Sequence, residues 1–206
     1  MEHYIAPLSA GTERTHVRYR NRFGITLAGD LYVSKEADRT KRLPAVVIGA
    51  PYGGVKEQGP CVYADELAKR GFAALTFDPS FNGESEGEPR HTSSPEIFSE
   101  DFSAGVDFFG TLGFVDREKI AALGICGSGG FAISAAQTDK RIRAVVTASM
   151  YDISRVQARG WEDGMTASER SAALDALAAR RWKDVDEGAP EYIPTFPEAP
   201  YDEVPA

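Results

Sequence analysis

Residues 119–136, KIAALGICGSGGFAISAA, place an apolar run, a cluster of glycines and a second apolar run in immediate succession. That order demands a buried strand that turns sharply into a helix. The turn itself is Gly124-Ile125-Cys126-Gly127-Ser128-Gly129-Gly130. A strand-to-helix turn this tight needs small residues around its apex, and it holds the apex side chain out over the edge of the sheet. Cys126 takes the apex, Gly124 stands two residues before it, and Ser128 stands where a second glycine is usual. The spacing fits a nucleophile elbow, with the Gly127 amide at a helix N-terminus as half of an oxyanion hole.

Other readings share these letters. Small residues also let a helix pack closely on a sheet, with Cys126 as a small buried hydrophobe. A dinucleotide-binding turn belongs after the first strand of a βαβ unit, whereas several strands precede this one. Ser128 as nucleophile would leave Cys126 where a glycine is needed.

Composition narrows the partners. A chain of 206 residues with 42% hydrophobic content can bury one substantial core. It is read as a single α/β domain over 1–188, including a helical segment at 152–187, followed by a proline-rich acidic tail at 189–206. A formal charge of -8 and a pI near 5.0 argue against nucleic acid or an anionic membrane as partner, since both require clustered Lys and Arg. Cys61 and Cys126 make no disulfide framework, and His3, His16 and His91 are too scattered for a metal site. No metal and no cofactor are expected, and the compartment is read as reducing. Met1-Glu2-His3-Tyr4 has neither a basic flank nor an apolar run, which is no signal peptide and suggests a cytoplasmic location. The uncharged span 120–138 is diluted by glycine and polar residues, so it is a core segment and no membrane span.

In chain order, 15–23 and 25–33 alternate polar and apolar residues about Gly24, which predicts an antiparallel hairpin at a sheet edge. AVVIGA at 45–50 is a continuous run suited to a strand buried on both faces. The loop PYGGVKEQGP at 51–60 follows it, where strand carboxyl ends meet ligands in open α/β sheets. Gly53-Gly54 is either a plain turn or a place where the amide of Tyr52 or Gly53 completes the oxyanion hole. A helix at 61–70, a buried strand at 72–77 and a helix at 95–112 come next, and 142–150 reads as another buried strand. Asp152, just past that strand, is either a cap of the next helix or the acid of a catalytic triad. Thr166-Ala167-Ser168-Glu169 has capping-box spacing and opens a helix to about Asp186, with Leu174, Leu177, Trp182 and Val185 available for burial. This alternation specifies a mainly parallel sheet with helices on both faces.

With the elbow, the pattern resembles the α/β-hydrolase fold. More narrowly, Gly53-Gly54-Val55-Lys56-Glu57-Gln58, Gly83-Glu84-Ser85 with Gly87-Glu88-Pro89-Arg90, and Gly124-Ile125-Cys126 with Ser128-Gly129-Gly130 resemble bacterial hydrolases close to the dienelactone hydrolase group, over residues 15–190. The resemblance implies a Cys126 nucleophile with a histidine base and a carboxylate, acting on an ester, lactone or thioester. Two departures stand out. Ala50-Pro51-Tyr52 occupies the place where dienelactone hydrolase carries an acid, and the family's C-terminal third, with its catalytic histidine, lies beyond Ala206. None of His3, His16 and His91 matches the family base. The expectation is a hydrolase impaired without that histidine, or a non-catalytic member that binds a small molecule or pairs with a companion chain or a second copy. His91, in a glycine- and acid-rich loop, is read as solvated.

Overall fold

The computed structural model describes residues 4–38 and 40–192. Two compact units result, one running to Asp152 and the other beginning at Ile153. Among the described residues no helix is long and apolar enough to cross a membrane.

The first unit is built on a sheet of β1 (Thr12–Arg20), β2 (Thr26–Ser34), β3 (Leu43–Gly49), β4 (Ala73–Phe77), β5 (Val115–Ile125) and β6 (Ile142–Ala148), in the order β1-β2-β4-β3-β5-β6. β1 pairs antiparallel with β2, and β2 with β4. The remaining pairs are parallel. The expected mainly parallel α/β sheet with an N-terminal antiparallel hairpin is therefore what forms.

Two-residue alternation along β3 decides what packs on each face. Val46 and Ile48 join Cys61, Ala64 and Ala68 of α1 (Gly59–Lys69) in one buried cluster. Val47 and Gly49 face α2 (Pro95–Thr111): a Cβ on Gly105 would lie 2.8 Å from Val47, and one on Gly49 would lie 2.5 Å from the Phe102 ring. Phe102 meets Phe77 edge-on, with ring centroids 5.2 Å apart. Phe98 meets Phe131 of α3 (Ser128–Thr138) at 5.3 Å, which joins α2 to α3. Helices thus cover both faces, and the continuous apolar run of β3 is explained.

β6 corrects an expectation. Ile142 is buried, but Val145 and Val146 are exposed, because β6 is an outermost strand. A β-branched run marks a strand without marking its rank in the sheet.

A buried polar network ties the hairpin to the layer beneath it. Asp101 accepts hydrogen bonds from the Ser80 amide (2.8 Å), the Ser80 hydroxyl (2.8 Å) and Asn21 Nδ2 (2.8 Å). Asn21 Oδ1 in turn accepts from the amides of Phe23 and Ile25, which shapes the β1–β2 turn. Burial pushes the Asp101 carboxyl up to about 6, against the pull of its hydrogen-bond donors. A carboxyl raised on folding contributes stability that is full below its unfolded value, near 3.8, and is lost as pH rises through about 6. The stability of the wild type relative to Asp101→Asn, from urea unfolding between pH 4 and 7, is expected to shrink over that window and level off above it. A difference independent of pH would remove Asp101 as the titrating group.

The second unit contains α4 (Ile153–Arg159), a 3-10 turn (Trp161–Asp163) and α5 (Ala167–Glu187). Thr166 and Glu169 form the expected capping box: the Glu169 amide donates to Thr166 Oγ1 (3.2 Å) and the Thr166 amide to Glu169 Oε2 (2.7 Å). Gly188, left-handed at φ +68°, ends the helix. Leu174, Leu177, Trp182 and Val185, expected to be available for burial, are all more than half exposed. Of the expected acidic tail, residues 193–206 lie outside the described residues.

Candidate active site

At the end of β5 the chain enters the turn through Cys126, whose φ of +57° is rare for a residue with a side chain. Bonding on both sides holds this strained backbone: the Cys126 amide donates to Ala148 O (2.9 Å) in β6, and the Gly129 amide donates to Cys126 O (3.0 Å) as α3 begins. The glycines are there for space. A Cβ on Gly124 would lie 2.3 Å from Ser128 O and 2.5 Å from Gly129 Cα, and one on Gly129 would lie 2.6 Å from Met150 Cγ. Ser128 is buried and its hydroxyl donates to the Ala50 carbonyl, so it is tied to the end of β3. Cys126, by contrast, is partly exposed at the apex.

The loop after β3 meets this elbow. The Gly54 amide donates to Pro51 O (2.7 Å) and Gly53 has φ +76°, the signature of a type II turn with glycine at its third position. Tyr52 rests against the elbow, and a Cβ on Gly127 would lie 3.0 Å from Tyr52 Cβ. Cys126, Gly127 and the Tyr52-Gly53 turn are therefore brought together from strands with neighbouring carboxyl ends.

Tyr151 was not singled out by sequence reasoning, which fixed on its neighbour. Its side chain lies beside Cys126; burial, and next the adjacent Cys126, hold the phenol above its ordinary value. Asp152 follows it and stands immediately before α4. The imidazoles have other company. His16 Nδ1 is 3.1 Å from Asp30 and its Nε2 3.8 Å from Glu84, while His91 is exposed and its amide donates to Phe81 O (2.9 Å). His3 lies outside the described residues.

Sequence reasoning also missed a charged cluster just past the Pro51–Gly54 turn. Glu57, Asp78 and Glu84 bring carboxylate oxygens within 4.8 Å of one another, a grouping that could hold a cation. The Lys56 ammonium serves them instead, 3.0 Å from Asp78, 2.8 Å from Glu84 and in contact with Glu57. Burial works against its charge, but bonds to Glu57, Glu84 and Asp78 outweigh it and hold the ammonium above the ordinary lysine value. Asp78 also accepts from the backbone amides of Lys56 (2.8 Å) and Glu84 (2.9 Å).

A mainly parallel sheet in which β5, one strand in from the edge, ends in a cysteine-bearing elbow faced by a glycine turn from the neighbouring β3 has the α/β-hydrolase fold. The chain belongs to the X-Pro dipeptidyl-peptidase (S15) family, whose model matches residues 24–193. It is similar to the uncharacterized protein PA2218 of Pseudomonas aeruginosa, at 51% identity over 192 residues, covering 93% of this chain and 52% of that protein. The crystal structure of PA2218 agrees with a TM-score of 0.92 at 48% identity, covering 100% of this chain and 62% of the other. The crystal structure of the α/β hydrolase GrgF from Penicillium sp. sh18 gives a TM-score of 0.75 at 25% identity, covering 90% of this chain and 60% of the other. The thiohydrolase aneE of Aspergillus aculeatus is 38% identical over 124 residues, 60% of this chain and 37% of that protein. The chain spans about half the length of the curated relatives it matches.

Proposed function

We propose that this chain carries the acyl-transfer centre of a hydrolase that cleaves an ester, lactone or thioester through Cys126. The observation that carries the reading is the left-handed apex at Cys126 with the Tyr52-Gly53 turn packed on Gly127. The sulfur attacks the substrate carbonyl carbon, forming a C–S bond as the carbonyl π pair moves onto oxygen. The amide of Gly127 and that of Tyr52 or Gly53 are the donors for this oxyanion. Collapse expels the alcohol or thiol, which takes up the proton that the Cys126 thiol gives up. Water then cleaves the acyl-sulfur bond, releasing the acid and restoring the thiol.

Two points refine the substrate class. Attack on a thioester exchanges one acyl-sulfur bond for another, and the likeness to a thiohydrolase favours that class. Lactones enter through the resemblance to the dienelactone hydrolase group. A small-molecule acyl compound is thus the partner, and Asp152, the residue after Tyr151, is the acid proposed for this centre. The side chain beside the sulfur is the Tyr151 phenol, whose raised pKa keeps it protonated, so it does not accept protons near neutrality. General-base assistance is typically worth about 10²–10⁴-fold. Acylation should therefore outrun deacylation in this chain. With p-nitrophenyl acetate, a stoichiometric burst of nitrophenolate followed by slow turnover is expected, with the acetyl group mapped to Cys126 by mass spectrometry. Absence of a burst would favour a non-catalytic binding member of the fold, and an acetyl group on Cys61 would remove the elbow from the chemistry.

A further inference from the structure

We infer that Lys56 is a positioning residue that sets the Tyr52-Gly53 amides against Cys126 by locking the loop after β3 onto the end of β4; this rests on the reading of Cys126 as the acylated nucleophile. The two glycine turns after β3 and β4 share no backbone hydrogen bond in the described contacts, yet one carboxylate joins them. Asp78, the residue after β4, takes the Lys56 amide on Oδ1 (2.8 Å) and the Glu84 amide on Oδ2 (2.9 Å). Gly83 is shaped to this purpose: at φ +53°, a Cβ there would lie 2.4 Å from Asp78 Oδ2. The Lys56 ammonium then closes the knot from the other side.

Its chemistry suits the place. An ammonium has three N–H donors and no acceptor, and here it meets three carboxylates, Asp78, Glu84 and Glu57. The Lys56 side chain is 1% exposed, as is that of Asp78, whereas Glu84 is 56% exposed. Removing the ammonium leaves three carboxylates within 4.8 Å of one another around an emptied space. Their repulsion acts on the segment that follows the Pro51–Gly54 turn, with Lys56 only two residues past Gly54. Hydrogen bonds that stabilise an oxyanion depend steeply on placement, and a shift of about 1 Å costs about 100-fold in rate.

The test compares two reactions of the same sulfur. Acylation by p-nitrophenyl acetate passes through a tetrahedral oxyanion, whereas alkylation by iodoacetamide displaces iodide at a saturated carbon and needs no oxyanion donor. Lys56→Met, which keeps the unbranched stem of the side chain without its charged end, is expected to lower the acylation rate constant about 100-fold. Alkylation of Cys126 should stay within about twofold. Where Lys56→Met lacks the native circular dichroism spectrum, Glu84→Gln decides; it leaves Lys56 and Asp78 in place and is expected to lower the same ratio about fivefold, a small fraction of the effect of a displaced donor. Equal loss of both reactions, or an unchanged ratio, would overturn the positioning role while leaving Cys126 as the nucleophile. A wild-type chain that is alkylated but never acylated would instead remove the acyl-transfer reading, and the positioning role with it.

Discussion

Cys126→Ala is expected to abolish the nitrophenolate burst, whereas Cys61→Ala is expected to preserve its full amplitude. The two thiols differ in exposure and in surroundings. Cys61 is 4% exposed, packed in α1 against Tyr32, Val46 and Ile48, and burial pushes its thiol pKa up, away from the reactive thiolate. Cys126 stands at the apex of the turn, partly exposed and beside the Gly127 amide and the Tyr52-Gly53 turn. Alanine at 126 removes the sulfur and keeps a small side chain on the same left-handed backbone, so the fold should survive. Stopped-flow absorbance of both variants, with iodoacetamide labelling and peptide mapping of the wild type, reads the outcome. Preferential labelling of Cys61 in the folded protein would contradict the elbow assignment, and a residual burst in Cys126→Ala would place the acyl group elsewhere.

Gly124→Ala is expected to cost about 3 kcal/mol or more of stability, the upper part of the usual range for forced overpacking, and to remove the burst. Its added Cβ would meet backbone on every side: Ser128 O at 2.3 Å, and Gly129 Cα and N both at 2.5 Å. A side chain could rotate away from such a contact, but these atoms belong to the first turn of α3, so the helix must move away from β5. Movement there also displaces Cys126 and the Gly127 amide. Gly130→Ala is the matched control. Gly130 lies two residues into the same helix, and a Cβ there meets nothing within 4 Å. Alanine at such a position is favoured over glycine by roughly 0.5–1 kcal/mol, so this variant should be neutral or slightly more stable and keep its burst. Urea midpoints for the pair give the measurement. Equal stabilities would mean that the elbow is not closed as tightly as Gly124 implies.

How far the molecule could be read from its sequence follows the distance over which each interaction acts. The elbow was legible because its requirements are local: Gly124, Cys126 and Gly127 lie within four consecutive positions, and a strand-to-helix turn constrains them directly. The two-faced burial of β3 was legible because Val46, Val47 and Ile48 leave no polar face. The rank of β6 was not, since the run from Ala144 to Ala148 has the same composition in a central or an outer strand. Nor were the two polar knots. Lys56 meets Asp78 across 22 residues, and Asn21 meets Asp101 across 80; no periodicity connects such positions. Lys56-Glu57 and Gly83-Glu84 were visible as parts of a family-like pattern without a reason for being there. Tyr151 lies one position from Asp152, and nothing in the local sequence distinguishes a phenol that meets Cys126 from one that does not. Its place beside Cys126 depends on how β6 ends relative to β5, which only the folded register sets.

The ammonium among Glu57, Asp78 and Glu84 also bears on how this loop responds to the medium. Three converging carboxylates without an internal cation would draw on dissolved calcium or magnesium, and their loop would then tighten or slacken with the hardness of the buffer. Here the counter-ion is covalently part of the segment it secures, delivered at an effective concentration that dialysis cannot lower. Chelators should therefore leave the turn after β3 as it is, and the ionic history of a preparation should leave no trace in the geometry beside Cys126.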